Sequence, residues 1–487
     1  MLLQSRHCFR GKEKTSAQGK PKHKEEDQYQ NAMVTNQNHR PYLPDDMIYQ
    51  ILRRLPTKAA VRTSSLSKQW EGVWSLLPSL DFDEGGNPDN YFRHNDVVDT
   101  ENLLRHKRFV NNILAKCLEY RQKHNKQKDV LDKLKIHMER YSAKDDVTLI
   151  NKWLDFSFET GVKELDICLR ISKLDWNPLD RGLSFYHCIS RRSFFNAKSL
   201  TALTLEHARI KNFNHTDIAV PKPTIYTSLL PSLKTMCLTS VFFDKYALFS
   251  LIRWECPSIV SLSLAACSFE DSVFNVSSSS LKSLEVMDCT ARKVEVGESV
   301  NLECFTLVSL QFPLAEMYLK KSDNLRYIDI YAQHLKNILL VGCHQSVKAT
   351  IWTPSLLYLD FSGCVSYSNF HVKAPNLKLA RIELWDLWDE EISPIDRPWK
   401  HFPTLRNFLK EFCCSRLLSL IPRDFKGLIF PENFKKTFSS PLPHSRDVAI
   451  YMLNAPPEAT GISDFKDSLD WVAPSALIQC HFIGVPS

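Results

Sequence analysis

Glycine is scarce, with 13 residues in 487, and none of them is grouped into a loop that could cradle a phosphate. Motifs of the form G-x-S-x-G, H-E-x-x-H and C-x-x-C are absent as well, which removes the common nucleophile elbow, the helical zinc protease site and the dithiol pair. Cys413 and Cys414 are adjacent and cannot converge on one metal from a helix; Cys343-His344 and Cys480-His481 are isolated pairs that local structure explains. The sequence therefore calls for no catalytic residue, no cofactor, no metal and no enzymatic activity. No apolar run approaches the roughly 18 residues that a membrane span needs. The opening MLLQSRHCFRGK has three apolar residues before Gln4, too few for a secretory h-region. Fourteen cysteines without such a signal point to a reducing compartment, nucleus or cytoplasm, rather than to a disulfide framework.

A large excess of either charge is also missing from most of the chain. The net charge is +7, but residues 1–40 carry eight Lys/Arg against four Asp/Glu, and residues 101–140 carry eleven against five. The remainder is slightly acidic, which argues against an extended nucleic-acid-binding face. Residues 1–39 are polar and aperiodic and are expected to be a disordered basic tail; GKPKHK at 19–24 reads either as an import signal or as a solvated run.

What the chain does contain is repetition. With 487 residues, 44% of them hydrophobic and 24% charged, it exceeds one core and suits several domains or a repeat array. The motif apolar-x-x-apolar-x-apolar begins at Leu131, Val162, Leu200, Leu233, Ile259, Leu281, Leu302, Leu325 and Leu356, with a degenerate tenth copy at Leu377. The central spacings of 26, 22, 21 and 23 fall in the leucine-rich-repeat period. Each copy supplies a short strand that needs its neighbours to bury its apolar side, so the copies stack into a solenoid with a curved parallel sheet. Cys267, Cys289 and Cys364 fall on the position where such repeats place a buried Asn or Cys, and Ala208, Val241 and Leu310 fill the same slot elsewhere. An irregular horseshoe is expected.

The stretch 40–80 has a different grammar. Leu43-Pro44-Asp45-Asp46 opens a helix; Met47, Ile48, Ile51, Leu52 and Leu55 form one apolar stripe; Pro56 ends it. Thr57 is placed to cap a second helix and Ser67 a third that carries Trp70, Val73 and Trp74. Three such helices hold little core, and no cysteine lies among them, so a partner surface is expected. LPDDMIYQILRRLPTKAAVRTSSLSKQWEGVW resembles, without a gap, the F-box of plant F-box/leucine-rich-repeat proteins; Gln69 stands where arginine is common. INKWLDFSFETGVKELDICL (150–169) resembles the segment that joins F-box to repeats in those proteins, a Trp-bearing helix before a first strand.

The resemblance implies an α/β fold: a three-helix F-box (40–80), a linker (81–100) that includes DEGGNPDN, the repeat solenoid (101–385) and a C-terminal region (386–487). An amphipathic helix carrying Phe109, Val110, Ile113, Leu114, Cys117 and Leu118 opens the solenoid span, and RQKHNKQK (121–128) is its basic exit loop. In the last region Trp385, Trp388, Asp389, Glu390 and Glu391 form an acidic-aromatic patch, FLKEFCCSRLLSLIP reads as helical, and 463–483 resembles an FBD-like closing unit of helix then strand. It further implies docking on a Skp-type adaptor, and through it cullin, by Leu43, Pro44, Ile48, Ile51, Leu55, Pro56, Val61, Leu66 and Trp70. Trp70 and Trp74 have a second reading, packing against the F-box's own first helix or against the repeats. The functional expectation is the substrate-receptor subunit of an SCF-type ubiquitin ligase, with an unidentified target protein on the repeats. The alternative is a repeat scaffold without a ligase role, in which the F-box closes one end of the solenoid.

Overall fold

The computed structural model describes residues 43–83, 100–123, 131–171, 186–212, 228–309, 325–343, 348–364, 370–385, 397–452 and 459–482, apart from positions 64–65, 68, 71–72, 195, 298 and 300. The N-terminal tail with GKPKHK, most of the DEGGNPDN linker, the end of the basic exit loop and the acidic-aromatic patch beyond Trp385 lie outside the described residues.

Helix α1 spans Asp45–Leu52 and starts where Pro44 presents its carbonyl to the N–H groups of Met47 and Ile48, with Asp45 and Asp46 in the first turn against the positive helix end. Helix α2 spans Thr57–Thr63 and starts on the Pro56 carbonyl, which accepts from Ala59 and Ala60. The expected Thr57 cap is therefore replaced: its hydroxyl is turned away from the helix and bonds elsewhere. Of the expected third helix, the described residues form a 3-10 turn at Val73–Leu76.

Fourteen strands then form one parallel sheet in strict chain order. They are β1 (Ser79–Asp83), β2 (Lys133–Tyr141), β3 (Glu164–Ile171), β4 (Ala202–Glu206), β5 (Thr235–Thr239), β6 (Ser261–Ala265) and β7 (Ser283–Met287). After them come β8 (Cys304–Val308), β9 (Asn337–Cys343), β10 (Tyr358–Gly363), β11 (Leu379–Leu384), β12 (Leu417–Pro422), β13 (Asp447–Met452) and β14 (Leu477–Phe482). The sheet is curved and all-parallel, the architecture expected of stacked repeats. Two short parallel ladders run along the other side of the solenoid, one from 187–189 to 268–269 and one from 273–276 to 370–373.

Period-2 alternation sets which side chains enter the core. Leu203 and Leu205, Leu262 and Leu264, Leu284 and Val286, and Phe305 and Leu307 are buried in register, while the residues between them face outward. One contiguous core results, from Ile48 and Leu52 in α1 to Leu469 and Ala473 near the last strand. A ring cluster of Phe361, Phe370, Phe408 and Phe412, with centroids 5.1–5.4 Å apart for its closest pairs, ties helix Arg397–Lys410 to the sheet.

The strand exits repeat with the strands. His207, Ser240, Ala266 and Asp288 each follow a sheet strand in the left-handed region, at φ 57°, 52°, 51° and 50°. Their N–H groups donate to the carbonyls of Thr239, Ala265, Met287 and Val308 on the next strand, at 2.8–3.0 Å. A non-glycine residue in this conformation costs about 1–2 kcal/mol; the ladder bond offsets roughly 1 kcal/mol of it. The cysteine slot comes one residue later. Cys267 Sγ reaches Leu238 O at 3.4 Å and Cys289 Sγ reaches Leu264 O at 3.7 Å, each on the preceding repeat. Cys267 is buried, whereas Cys289 and Cys364 are half-buried.

Several expectations need correction. The copy at Leu325 does not enter the main sheet; its strand, Tyr327–Tyr331, belongs to an outer ladder. The main-sheet strand of that repeat is β9, which follows Leu335 in the equivalent run LKNILL. Both runs fit the apolar-x-x-apolar-x-apolar motif, and that motif does not say which ladder a strand joins. FLKEFCCSRLLSLIP is helical only to Lys410, and its second half is β12. Segment 463–483, by contrast, has the expected order of helix then strand, as the helix Ala459–Val472 and then β14. The helix in 150–169, Val147–Glu159, leads into β3 rather than into the first strand of the sheet. The sheet thus extends past both ends of the 101–385 span, from Ser79 to Phe482.

Candidate functional site

The apolar stripe of α1 divides in two. Ile48 and Leu52 point inward and are 0% exposed, packed with Ala60, Val73 and Trp74. Met47, Ile51 and Leu55, spaced four apart, point outward and are 53%, 39% and 36% exposed. Leu66 extends the same chemistry at 65%, Pro44 and Pro56 are exposed, and Leu43, Val61 and Trp70 are half-buried. Ile48 is thus not surface, contrary to its expected place in the adaptor set: on a helix the residue before it, Met47, shares the outer edge with Ile51, and Ile48 shares the inner edge with Leu52. Trp74 takes its second reading and is buried inside the protein.

The geometry of this surface is held from behind. Gln69 Nε2 donates to the Leu43 carbonyl and, at 3.1 Å, to Asp45 Oδ1, so the third segment clamps the start of α1 and fixes Leu43 and Pro44. Asp81 N donates to Thr57 Oγ1 at 2.8 Å, which joins α2 to the first strand of the sheet. Cys117 Sγ meets the Ser75 carbonyl at 3.3 Å, joining the helix Thr100–Lys123 to the 3-10 turn. Val110, Ile113, Leu114 and Cys117 of that helix are buried beneath the same unit.

The second open surface is the outward face of the sheet. Its N-terminal strands carry charge: Lys135 and Asp83 pair at 3.0 Å, His137 lies between Asp83 at 3.6 Å and Asp166 at 3.2 Å, and Arg170 pairs with Glu206 at 3.2 Å. The His207 ring, then the Cys168 thiol and Arg170, hold the Glu206 carboxyl down at about 2, against the opposing effect of burial. The central strands present mostly small neutral groups instead, among them Thr239, Ser261, Ala265 and Thr306, with the Glu285 carboxylate accepting from Ser263 Oγ at 2.9 Å. Asp360–Arg381 at 3.1 Å and Ser362–Glu383 at 3.1 Å return polarity on β10 and β11. Among the described residues, one group of side chains has the donors and spacing for a metal: Cys168, Glu206 and His207.

The F-box domain family matches residues 41–81, and the leucine-rich-repeat family of the FBD-associated F-box protein At5g56370 matches residues 150–338. F-box protein At4g27050 of Arabidopsis thaliana is 24% identical over 388 residues, covering 78% of this chain and 66% of the relative. FBD-associated F-box protein At5g22730 of the same plant is 31% identical over 249 residues, 50% of this chain and 43% of that one. F-box/LRR-repeat protein At3g60040 is 28% identical over 284 residues, 56% and 55% of the two chains. The chain spans between about two fifths and two thirds of the length of these curated Arabidopsis relatives. The F-box is thus matched on the surface built around α1 and the leucine-rich repeats on the parallel sheet, and the relatives that share them are Arabidopsis F-box, FBD and leucine-rich-repeat proteins.

Proposed function

We propose that the chain is the substrate-receptor subunit of an SCF-type ubiquitin ligase. The surface of Leu43, Pro44, Met47, Ile51, Leu55, Pro56, Val61, Leu66 and Trp70 docks on a Skp-type adaptor and through it on cullin, with Ile48 as the buried support beneath. The observation that carries this reading is the outward row Met47, Ile51, Leu55 on a helix whose other edge is already buried. Anchors at helical spacing are what a helix-in-groove partner reads. The outward sheet face holds a target protein in the nucleus or cytoplasm. The chain performs no bond chemistry: it raises the effective concentration of target lysines near a ubiquitin-loaded enzyme. A fixed join between F-box and sheet suits that role, because a flexible one would dilute the gain. No helix among the described residues is long and apolar enough to cross a membrane.

A second reading has its own observation. The Thr57 hydroxyl takes the Asp81 N–H on the outer edge of the first strand, so the F-box also closes one end of the sheet. On that reading the chain is a repeat scaffold without a ligase role. Reconstitution separates the two: purified chain, adaptor and cullin form a stoichiometric complex if the first holds, and the chain elutes alone if the second does.

A further inference from the structure

We propose that Cys168, Glu206 and His207 bind one divalent metal ion of the zinc class at the rim of the outward sheet face. Cys168 on β3 and Glu206 on β4 are register partners, and His207 follows Glu206 in the left-handed exit turn. The three donor atoms all lie within 4.8 Å of one another. Thiolate, imidazole and carboxylate together are a donor set suited to zinc, whereas calcium and magnesium take oxygen ligands. Nothing in the sequence spacing signals the site, because Glu206 lies 38 positions after Cys168 and only strand register brings them together.

The decisive geometry is between His207 and Glu206. Nδ1 and Oε1 are 3.3 Å apart, and Nδ1 is shut off from solvent and touches the carboxylate at ion-pair distance without an aligned hydrogen bond. Two ligands held about 2.0–2.1 Å from a tetrahedral ion stand roughly 3.3–3.4 Å apart, so this misaligned pair has the separation of two donors aimed at a shared centre. Arg170 Nε, 3.2 Å from the same Oε1, holds the carboxylate in place. On binding, the Cys168 S–H bond breaks, a sulfur–metal bond forms and the proton leaves to solvent. Three protein ligands leave the fourth tetrahedral position for a water or for a donor on whatever lies against the sheet face. The site is independent of the ligase reading.

The test uses the full chain, reduced and stripped of metal, titrated with Co²⁺ and with Zn²⁺. Wild type should develop a thiolate-to-cobalt charge-transfer band with tetrahedral d–d bands, and should retain one more Zn²⁺ per chain after dialysis than Cys168→Ala. His207→Asn removes the imidazole but keeps a residue that tolerates the left-handed turn. Its affinity should fall at least about 10–100-fold, the loss seen when even a supporting partner of a ligand is removed. Metal-free melting of His207→Asn should match wild type, which separates lost ligation from lost folding; if Cys168→Ala fails to fold, His207→Asn decides alone. A wild-type chain without the charge-transfer band, or a His207→Asn chain with unchanged cobalt affinity, overturns the site.

Discussion

Asp81 donates its backbone N–H to Thr57 Oγ1 across 2.8 Å, and this one bond spans the boundary between the F-box and the first strand of the repeat sheet. Thr57 is buried and Asp81 lies on an edge strand, so the bond settles a donor that no further strand covers. It makes the direction of the F-box relative to the sheet a property of the fold rather than of a linker.

Thr57→Val keeps the shape and removes the acceptor. Leaving the Asp81 N–H unpaired should cost about 1–3 kcal/mol. Chemical unfolding should show the midpoint falling accordingly; an unchanged midpoint would mean that the edge is satisfied by other means.

Neighbouring positions on β7 test the register. Leu284 is buried and Ser283 is exposed. Leu284→Ala should destabilise by about 2–5 kcal/mol, while Ser283→Ala should stay within about 0.5 kcal/mol. Equal effects at the two positions would show that the strand faces have been assigned wrongly.

Acid should act through His187, which burial holds at about 4, below its ordinary value of 6.5. Its Nδ1 lies 3.0 Å from the Tyr141 hydroxyl. Because the folded chain resists the proton and the unfolded chain accepts it, the stability from this group is complete above pH 6.5 and is lost as pH falls towards 4. The loss should reach roughly 3 kcal/mol. Unfolding curves of His187→Phe between those pH values should be flatter than those of wild type; a parallel acid dependence would assign the loss to other groups.

Thiol labelling should follow burial. Cys414 and Cys480 are exposed, whereas Cys256 and Cys267 are buried, and burial raises the Cys256 thiol well above its usual value. A small alkylating reagent should modify the first pair in the native chain and the second only after unfolding. Native labelling of Cys267 at the rate of Cys414 would contradict its place inside the repeat ladder.

The sequence made the F-box legible because its helix signals and its apolar stripe are local. It could not divide that stripe, since whether Met47 or Ile48 faces outward depends on how α1 rolls against Trp74 and the repeats. Strand alternation marked the central repeats well, but it marked Tyr327–Tyr331 equally well, and only tertiary pairing puts that strand on the outer ladder. Strands β12 and β13 escaped notice because the leading apolar position of the motif is serine there, Ser415 and Ser445, both buried. Cys168, Glu206 and His207 had no local signal at all.

The central claim is tested most directly by the affinity of the full chain for a Skp-type adaptor with Ile51→Ala and Leu55→Ala combined. Both side chains are outside the core, so the melting temperature should hold. Two centrally buried contacts of about 2 kcal/mol each amount to a loss near a thousandfold in Kd. A folded double variant that captures the adaptor as tightly as wild type would contradict the assignment of this surface.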